Sequence, residues 1–447
     1  MKGLTLLRAG GLWVLAAVTF VCHLSSGLYY VTQTEHLVSR PTLSQKGDVY
    51  LSAFWGWNRA EEWDAAAYNR AATEVMRTGV PRTRTGAVFF HAPLYAYFLA
   101  AGYSIGGVRL LSVAVPQAVL SALTCLVAGL AARRLAAQRV ELAGWFAGAL
   151  VFINPWLAIY VGSISPTVLT VFLAAVALEA ATPPITTGRL ARFSAAMILG
   201  CYAQAAFFVI ALAAVVWLLW EYKQRRQAAY VVCAMLLLAI TAIKPMLTLS
   251  GVGEGKSDPL AKGARNVLWE ANNPNYESMT WTSLWERRPG NPWTKWHETE
   301  GEQQRYKEYL ERAQRLGVNP GLLWIRENPG QYAKVCCVRF RAAVGPFTGQ
   351  MSPRNRVMST VFWLLVFPAA ILGLWRARGA STAQLVSLCF VVITAFGTLI
   401  IVEWFQRYRM PVDLMFAVFA AIGYAEWRCA GPPSPNTEPP AKMTDQL

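Results

Sequence analysis

Apolar runs of roughly 20 residues, the length an α-helix needs to cross a ~30 Å hydrocarbon core, recur near residues 9 to 31, 109 to 132, 141 to 160, 165 to 182, 229 to 250, 358 to 375, 382 to 402 and 410 to 427. Between Arg192 and Trp220 lies a further apolar stretch of about 29 residues, too long for one upright helix and short for two full ones. Charge decides how that stretch is counted. Arg133, Arg134 and Arg139 precede the third run, Arg189 and Arg192 follow the fourth, and Lys223, Arg225 and Arg226 precede the run at 229. Basic clusters next to spans mark the cytoplasmic side, so an even number of crossings must separate Arg192 from Lys223. The stretch therefore reads as a hairpin of two short helices bent near Gly200 to Gln204. Arg376, Arg378 and Arg428 then also fall inside. The pattern predicts an all-α polytopic membrane protein of about ten transmembrane helices with both termini cytoplasmic.

The same count sends two large polar segments outside, residues 32–108 and 251–357. Residues 1–250 form an N-terminal transmembrane module containing the first loop, 251–357 a mostly helical second loop, and 358–430 the C-terminal helices. The tail 431–447, opening Gly431-Pro-Pro-Ser-Pro, has the composition of a disordered segment. The first apolar run follows Lys2 and Arg8 but exceeds a signal-peptide core, and Cys22 to Ser26 makes a poor cleavage site, so it reads as a retained helix.

Composition supports lipid as the main solvent: of 447 residues 55% are hydrophobic and 15% charged. The net charge of +16 would point to nucleic acid in a soluble chain. Here the basic residues sit in short clusters between apolar runs, as topology signals do, and no nucleic-acid partner is expected. Cys22, Cys125, Cys201, Cys233 and Cys389 fall inside predicted spans as small apolar residues. Cys336 and Cys337 stand side by side in a polar region, as a functional pair or as two packing residues.

Long outer loops are where chemistry is expected. In the first, Asp64 to Arg77 places Tyr68, Ala71, Ala72, Val75 and Met76 at helical spacing, an amphipathic helix suited to the membrane surface that Gly79 and Pro81 end. Asp64 at its head serves either as an N-cap or as a catalytic carboxylate. Phe89-Phe90-His91-Ala92-Pro93-Leu94-Tyr95 then leads through Gly106-Gly107 to Arg109 and the second span. In the second loop, Trp269-Glu270-Ala271-Asn272-Asn273-Pro274 precedes a tryptophan-rich stretch, an amphipathic helix from about Gly301 to Arg315, and Asn328-Pro329 leading to Arg339 and Arg341. Those tryptophans suit either anchoring at the headgroup layer or stacking on sugar faces. Between the last two spans stands Glu403-Trp404-Phe405-Gln406-Arg407-Tyr408-Arg409-Met410-Pro411. Arg407 and Arg409 face outward against the usual charge bias, either to hold a phosphate or to pair with Glu403 or Asp413.

Taken in order, these motifs resemble the polyprenyl-phosphate-sugar-dependent GT-C glycosyltransferases, which include the protein O-mannosyltransferases and the bacterial aminoarabinose transferases. The resemblance runs from the first helix through residue 427. It implies a GT-C-type fold and an inverting transferase that moves one sugar from a polyprenyl-phosphate carrier to an extracytoplasmic glycan, lipid or protein acceptor. It also implies a bacterial inner-membrane location with the site on the periplasmic or outer face. By the resemblance Asp64 is the catalytic carboxylate, while Tyr68, His91, Arg407, Tyr408 and Arg409 contact substrate. Ala65 stands where many members have a second acid, Ala92 where some have lysine, and His91 where some have an acid. The loop Tyr160 to Thr167 has no acidic residue, although some members carry one there. No cofactor is required, and a divalent metal stays open with no ligand set assigned. Two other classes stay open beside the transferase: a transporter or flippase of lipid-linked glycans, and an inactive assembly protein on the same fold. Transporters of this kind favour internal repeats and mid-helix charges, which are scarce here, since Glu179 and Lys244 lie near span ends.

Overall fold

A computed structural model of the protein describes residues 2–38, 64–82, 93–204, 207–221, 272, 300–345, 353–377, 379–399 and 405–427. The described elements are all helices: α1 (Lys2–Val38), α2 (Asp64–Thr78), α3 (Leu94–Gly106), α4 (Leu111–Leu135), α5 (Val140–Phe152), α6 (Pro155–Val161), α7 (Thr167–Ala180) and α8 (Thr187–Ala203). They continue with α9 (Phe207–Glu221), α10 (Glu300–Arg315), α11 (Pro320–Glu327), α12 (Pro329–Val344), α13 (Pro353–Arg376), α14 (Ala380–Leu399) and α15 (Phe405–Trp427). Among the described residues five helices are long and apolar enough to cross a membrane singly, in α1, α4, α13, α14 and α15, and the bent pair α5 and α6 makes a sixth candidate. The expected span at 229–250, most of the second loop and the tail 431–447 lie outside the described residues.

Three elements depart from the sequence reading. Helix α1 runs on to Val38, well into the expected outer loop, because no glycine or proline interrupts the chain between Tyr29 and that point. The third run is two helices meeting at 55°, not one. Proline disfavours helical backbone in the residue before it, and Asn154 is accordingly extended at ψ 108°. Its side chain turns back to accept from the N–H groups of Trp156 and Leu157 at 3.0 and 3.2 Å, so Asn154-Pro155 caps a new helix. Finally, the Arg-Tyr-Arg motif, read as standing between the last two spans, is the opening of α15, with Pro411 inside the helix.

Helix α15 is the hub. It packs on α13, α5, α7, α4 and α14 and buries most of its surface. Its seam with α13 is close: a Cβ on Gly373 would collide with the carbonyl of Phe419, and one on Gly423 with that of Ala369. Small residues bring helix backbones together in lipid, where dispersion and not water release drives packing. A second hub, α4, receives α1, α5, α7 and α3. His23 ties α1 into it, with Nδ1 2.7 Å from the Ser121 hydroxyl and Nε2 2.8 Å from the Phe152 carbonyl. A carbonyl only accepts, so Nε2 carries the proton and Ser121 donates to Nδ1.

The bundle has two chemically distinct ends. At one, Arg134 and Arg192 both pair with the buried carboxylate of Glu179, and Arg133 pairs with Glu141 at 2.5 Å. There the Ala137 N–H donates to Glu426 at 3.0 Å, Arg376 to the Glu426 carbonyl at 3.3 Å, and Thr382 to the Ala181 carbonyl at 2.9 Å. Arginines from three separate sequence clusters thus share one end. Helices α8 and α9 leave that end and return to it. Phe193 packs on Trp217 with centroids 5.9 Å apart, and Gly200 lies under the Phe207 ring, so the pair is antiparallel about the break at Gln204. The hairpin required by the charge count is present.

Candidate functional site

The opposite end gathers the sequence-selected residues that the structure describes. Helix α2 begins at Asp64 and ends where Gly79 adopts φ +78°, a left-handed conformation that suits glycine. Its apolar stripe is covered by protein: Tyr68, Ala71 and Ala72 are buried against α3, whereas Met76 is exposed. The expectation of a stripe facing the membrane surface is replaced by one facing α3. Tyr68 meets Tyr95 edge to face with centroids 5.1 Å apart. Tyr103 donates to Asn69 at 2.7 Å and Tyr97 to the Gly79 carbonyl at 3.1 Å, which fixes the two helices along their length. Burial pushes the phenols of Tyr95 and Tyr103 up, keeping both as donors.

From Tyr95 the connection runs into the bundle. Its hydroxyl donates to Gln117 Oε1 at 3.1 Å, and Gln117 Nε2 lies 2.9 Å from the Val161 carbonyl and 2.8 Å from that of Ser163. Those carbonyls belong to the C-terminal end of α6, where helix oxygens lack intrahelical partners. The loop is held from behind as well, because Gly162 and Gly27 of α1 touch backbone to backbone. One residue earlier Tyr160 is buried, and at the other end of α6 Asn154 and Trp156 line a small cavity together with Arg409, Met410 and Asp413 of α15. Ser165 and Thr167 share a hydroxyl contact at 2.7 Å, and Thr170 donates to Gln204 at the α8 break at 3.2 Å.

The two outward arginines have different surroundings. Arg409 is 5% exposed and committed: Nε donates to Asp413 at 3.1 Å, and Nη1 to the carbonyls of Ala343 and Gly345 at 2.6 and 2.8 Å. It caps the C-terminus of α12 and meets the structural alternative named for it, pairing with Asp413. Arg407 is half-buried in the first turn of α15, with its guanidinium 5.0 Å over the Tyr408 ring and Nη2 3.0 Å from the Tyr408 hydroxyl. Helix α12 is tied to α14, Tyr332 and Arg339 donating to the Leu399 carbonyl at 3.2 and 3.4 Å, and Arg339 also donates to Asn272 at 3.3 Å. Burial, helped by Cys336, pushes the Tyr332 phenol up to about 12. A crevice of about 440 Å³ opens nearby between α1, α6 and α13, bounded by Ser25, Tyr29, Ile159 and Met358.

His91 and Glu403 lie outside the described residues. Among the described residues no three His, Cys, Asp or Glu side chains are grouped to hold a metal ion. Sequence reasoning gave Tyr95 no role and passed over Gln117. The signal for Gln117 was a lone amide in an otherwise apolar run, which in lipid must find partners.

No family model and no curated protein matches the chain. Among solved structures it is similar to ArnT from Cupriavidus metallidurans bound to undecaprenyl phosphate, at 15% identity over 80% of this chain and 55% of that one, with a TM-score of 0.49. It is also similar to the archaeal oligosaccharyltransferase AglB from Archaeoglobus fulgidus in complex with an inhibitory peptide and a dolichol-phosphate, at 13% identity over 90% of this chain and 50% of that one, with a TM-score of 0.42. The chain thus spans about half the length of either structure. Both scores lie below 0.5, so neither likeness assigns an activity to this chain.

Proposed function

We propose that this protein is a GT-C-type membrane glycosyltransferase that takes one sugar from a polyprenyl-phosphate carrier and gives it to an acceptor on the extracytoplasmic face. The observation that carries this reading is the joining of α2 to the start of α15 at the end of the bundle opposite the arginine clusters, through Tyr68, Tyr95, Gln117, the 161–163 carbonyls and α6, whose Asn154 and Trp156 share a cavity with Arg409 and Asp413. Basic clusters mark the cytoplasmic face, so the far end is the extracytoplasmic one.

The chemistry needs a base for the acceptor hydroxyl and a cation for the departing phosphate. Asp64, one helical turn before Tyr68, would take the acceptor proton as the acceptor oxygen bonds to the anomeric carbon. The bond from that carbon to the phosphate oxygen breaks on the opposite side, which inverts the centre. The charge left on the phosphate falls to Arg407, whose fork suits two of its oxygens, with Tyr408 beside it. The crevice between α1, α6 and α13 reaches Ile159, next to Tyr160, and is open enough for an isoprenoid tail to enter sideways. Arg409 holds α12 in place.

The test is purified protein in liposomes, offered a panel of undecaprenyl- and dolichyl-phosphate sugars with envelope extract as acceptor. Release of free polyprenyl phosphate is expected with at least one donor. Failure with every donor, or movement of intact donor across the bilayer, would overturn the reading, the latter in favour of a flippase.

A further inference from the structure

We propose that Tyr95 and Gln117 are positioning residues that fix the reach between the Asp64 helix and the Arg407 end of α15; this rests on the transferase reading of that end. Neither touches the reacting atoms in this scheme. Each is fully buried, Tyr95 in α3 and Gln117 in α4.

The hydrogen bonding of Gln117 is complete and has one solution. A primary amide has two N–H donors and one carbonyl oxygen. The two backbone carbonyls at 2.8 and 2.9 Å can only accept, so the nitrogen must face them. The oxygen then faces Tyr95, which must donate. No flipped amide satisfies the same partners. The side chain therefore couples α3 to the end of α6 in one geometry. Tyr95 passes that geometry to α2 through its ring contact with Tyr68, and the short helix α6 passes it to the start of α15, with which its Asn154 and Trp156 share a cavity. The Gly162 and Gly27 contact keeps the loop from yielding backwards.

A structural role alone would make Gln117 a helix cap and Tyr95 its filler. The two roles separate on substitution. Tyr95→Phe keeps the ring on Tyr68 and removes the hydroxyl, leaving the Gln117 oxygen buried without a donor. The double variant Tyr95→Phe with Gln117→Leu removes that orphaned oxygen but also the donor to the Val161 and Ser163 carbonyls, so it severs the link at both ends and stays less stable than wild type. If the pair only stabilises, the thermal midpoint falls in both variants while turnover of the folded protein stays near wild type. If it positions, turnover of the folded protein falls in both. A displacement of about 1 Å can cost on the order of 100-fold in rate, so a kcat loss of roughly 10- to 100-fold is expected, with donor KM within about 3-fold.

The deciding experiment adds a readout independent of activity. Spin labels at Thr78, at the end of α2, and at Val357, on the exposed start of α13, report the distance across the site in full-length protein lacking other reactive cysteines. Tyr95→Phe and the double variant should shift or broaden that distribution and lower kcat. An unchanged distribution overturns the proposal, whether turnover falls or not, and so does wild-type turnover in the folded double variant. If the distribution shifts but the wild-type protein consumes no lipid-linked sugar, the positioning pair stands and the transferase reading fails.

Discussion

Arg409 and Asp413 face each other one turn apart on α15, Nε to carboxylate at 3.1 Å, while the same guanidinium donates to two carbonyls at the end of α12. One cation thus closes a carboxylate and a helix C-terminus at once. Removing one partner of a buried pair leaves the other charge uncompensated, at a cost of about 3 to 5 kcal/mol. Arg409→Ala should therefore lower the thermal midpoint in detergent sharply. Arg409→Lys should recover only part of it, because an ammonium cannot reach both the carboxylate and the carbonyls in this geometry. Donor KM of the folded fraction should be unchanged. A stable Arg409→Lys protein with donor use selectively weakened would move this residue into the phosphate site.

Arg407 should behave in the opposite way. Replacing it with alanine should leave the midpoint near wild type and weaken donor use at limiting donor by about 2 to 5 kcal/mol, the cost of leaving a buried phosphate without its cation. Lysine should rescue part of the loss, since it supplies the charge without the fork. Full donor use in the alanine variant would assign Arg407 to packing against Tyr408.

The parts of this fold that were legible in the sequence are those set by local pattern or by charge parity. The α8 and α9 hairpin followed from the requirement that Arg192 and Lys223 share a side, and α8 ends at Ala203, within the Gly200 to Gln204 stretch read as the bend. The extent of α2 followed from apolar spacing and from Gly79. The α5 and α6 break carried a local signal, Asn154-Pro155, that an unbroken hydropathy run concealed. The clamp on Arg409 carried none, because its carbonyl partners lie 66 and 64 residues away and are backbone atoms that any sequence provides. The partner of the α2 stripe was hidden for a related reason: an amphipathic helix shows which face is buried but not whether lipid or protein covers it.

The two-ended arrangement predicts thiol accessibility. In a background whose native cysteines do not react, Val318→Cys, between α10 and α11, should react with a membrane-impermeant reagent added outside. Thr187→Cys, at the start of α8 beside the arginine clusters, should react only after the membrane is opened. Labelling of Thr187→Cys from outside would invert the assignment of the two ends and detach the proposed site from the extracytoplasmic face.

Asp64 is proposed as the base because it heads the helix whose buried stripe is joined through Tyr68 and Tyr95 to the Arg407 end. Its rival role is that of an N-cap, and asparagine separates the two. Asparagine and aspartate cap helices about equally well, but only a carboxylate can take a proton from the acceptor hydroxyl. An N-cap therefore predicts that Asp64→Asn folds and works near normally. A base predicts normal membrane insertion and thermal midpoint with turnover lowered by roughly 100-fold or more. Donor KM should change little, because the phosphate contacts stay intact. Asp48, in Gly47-Asp48-Val49-Tyr50 of the same loop, does not share the Asp64-to-Tyr68 spacing, so Asp48→Asn is the control and should be mild. Near wild-type transfer by Asp64→Asn together with loss of transfer in Asp48→Asn would reassign the base to Asp48.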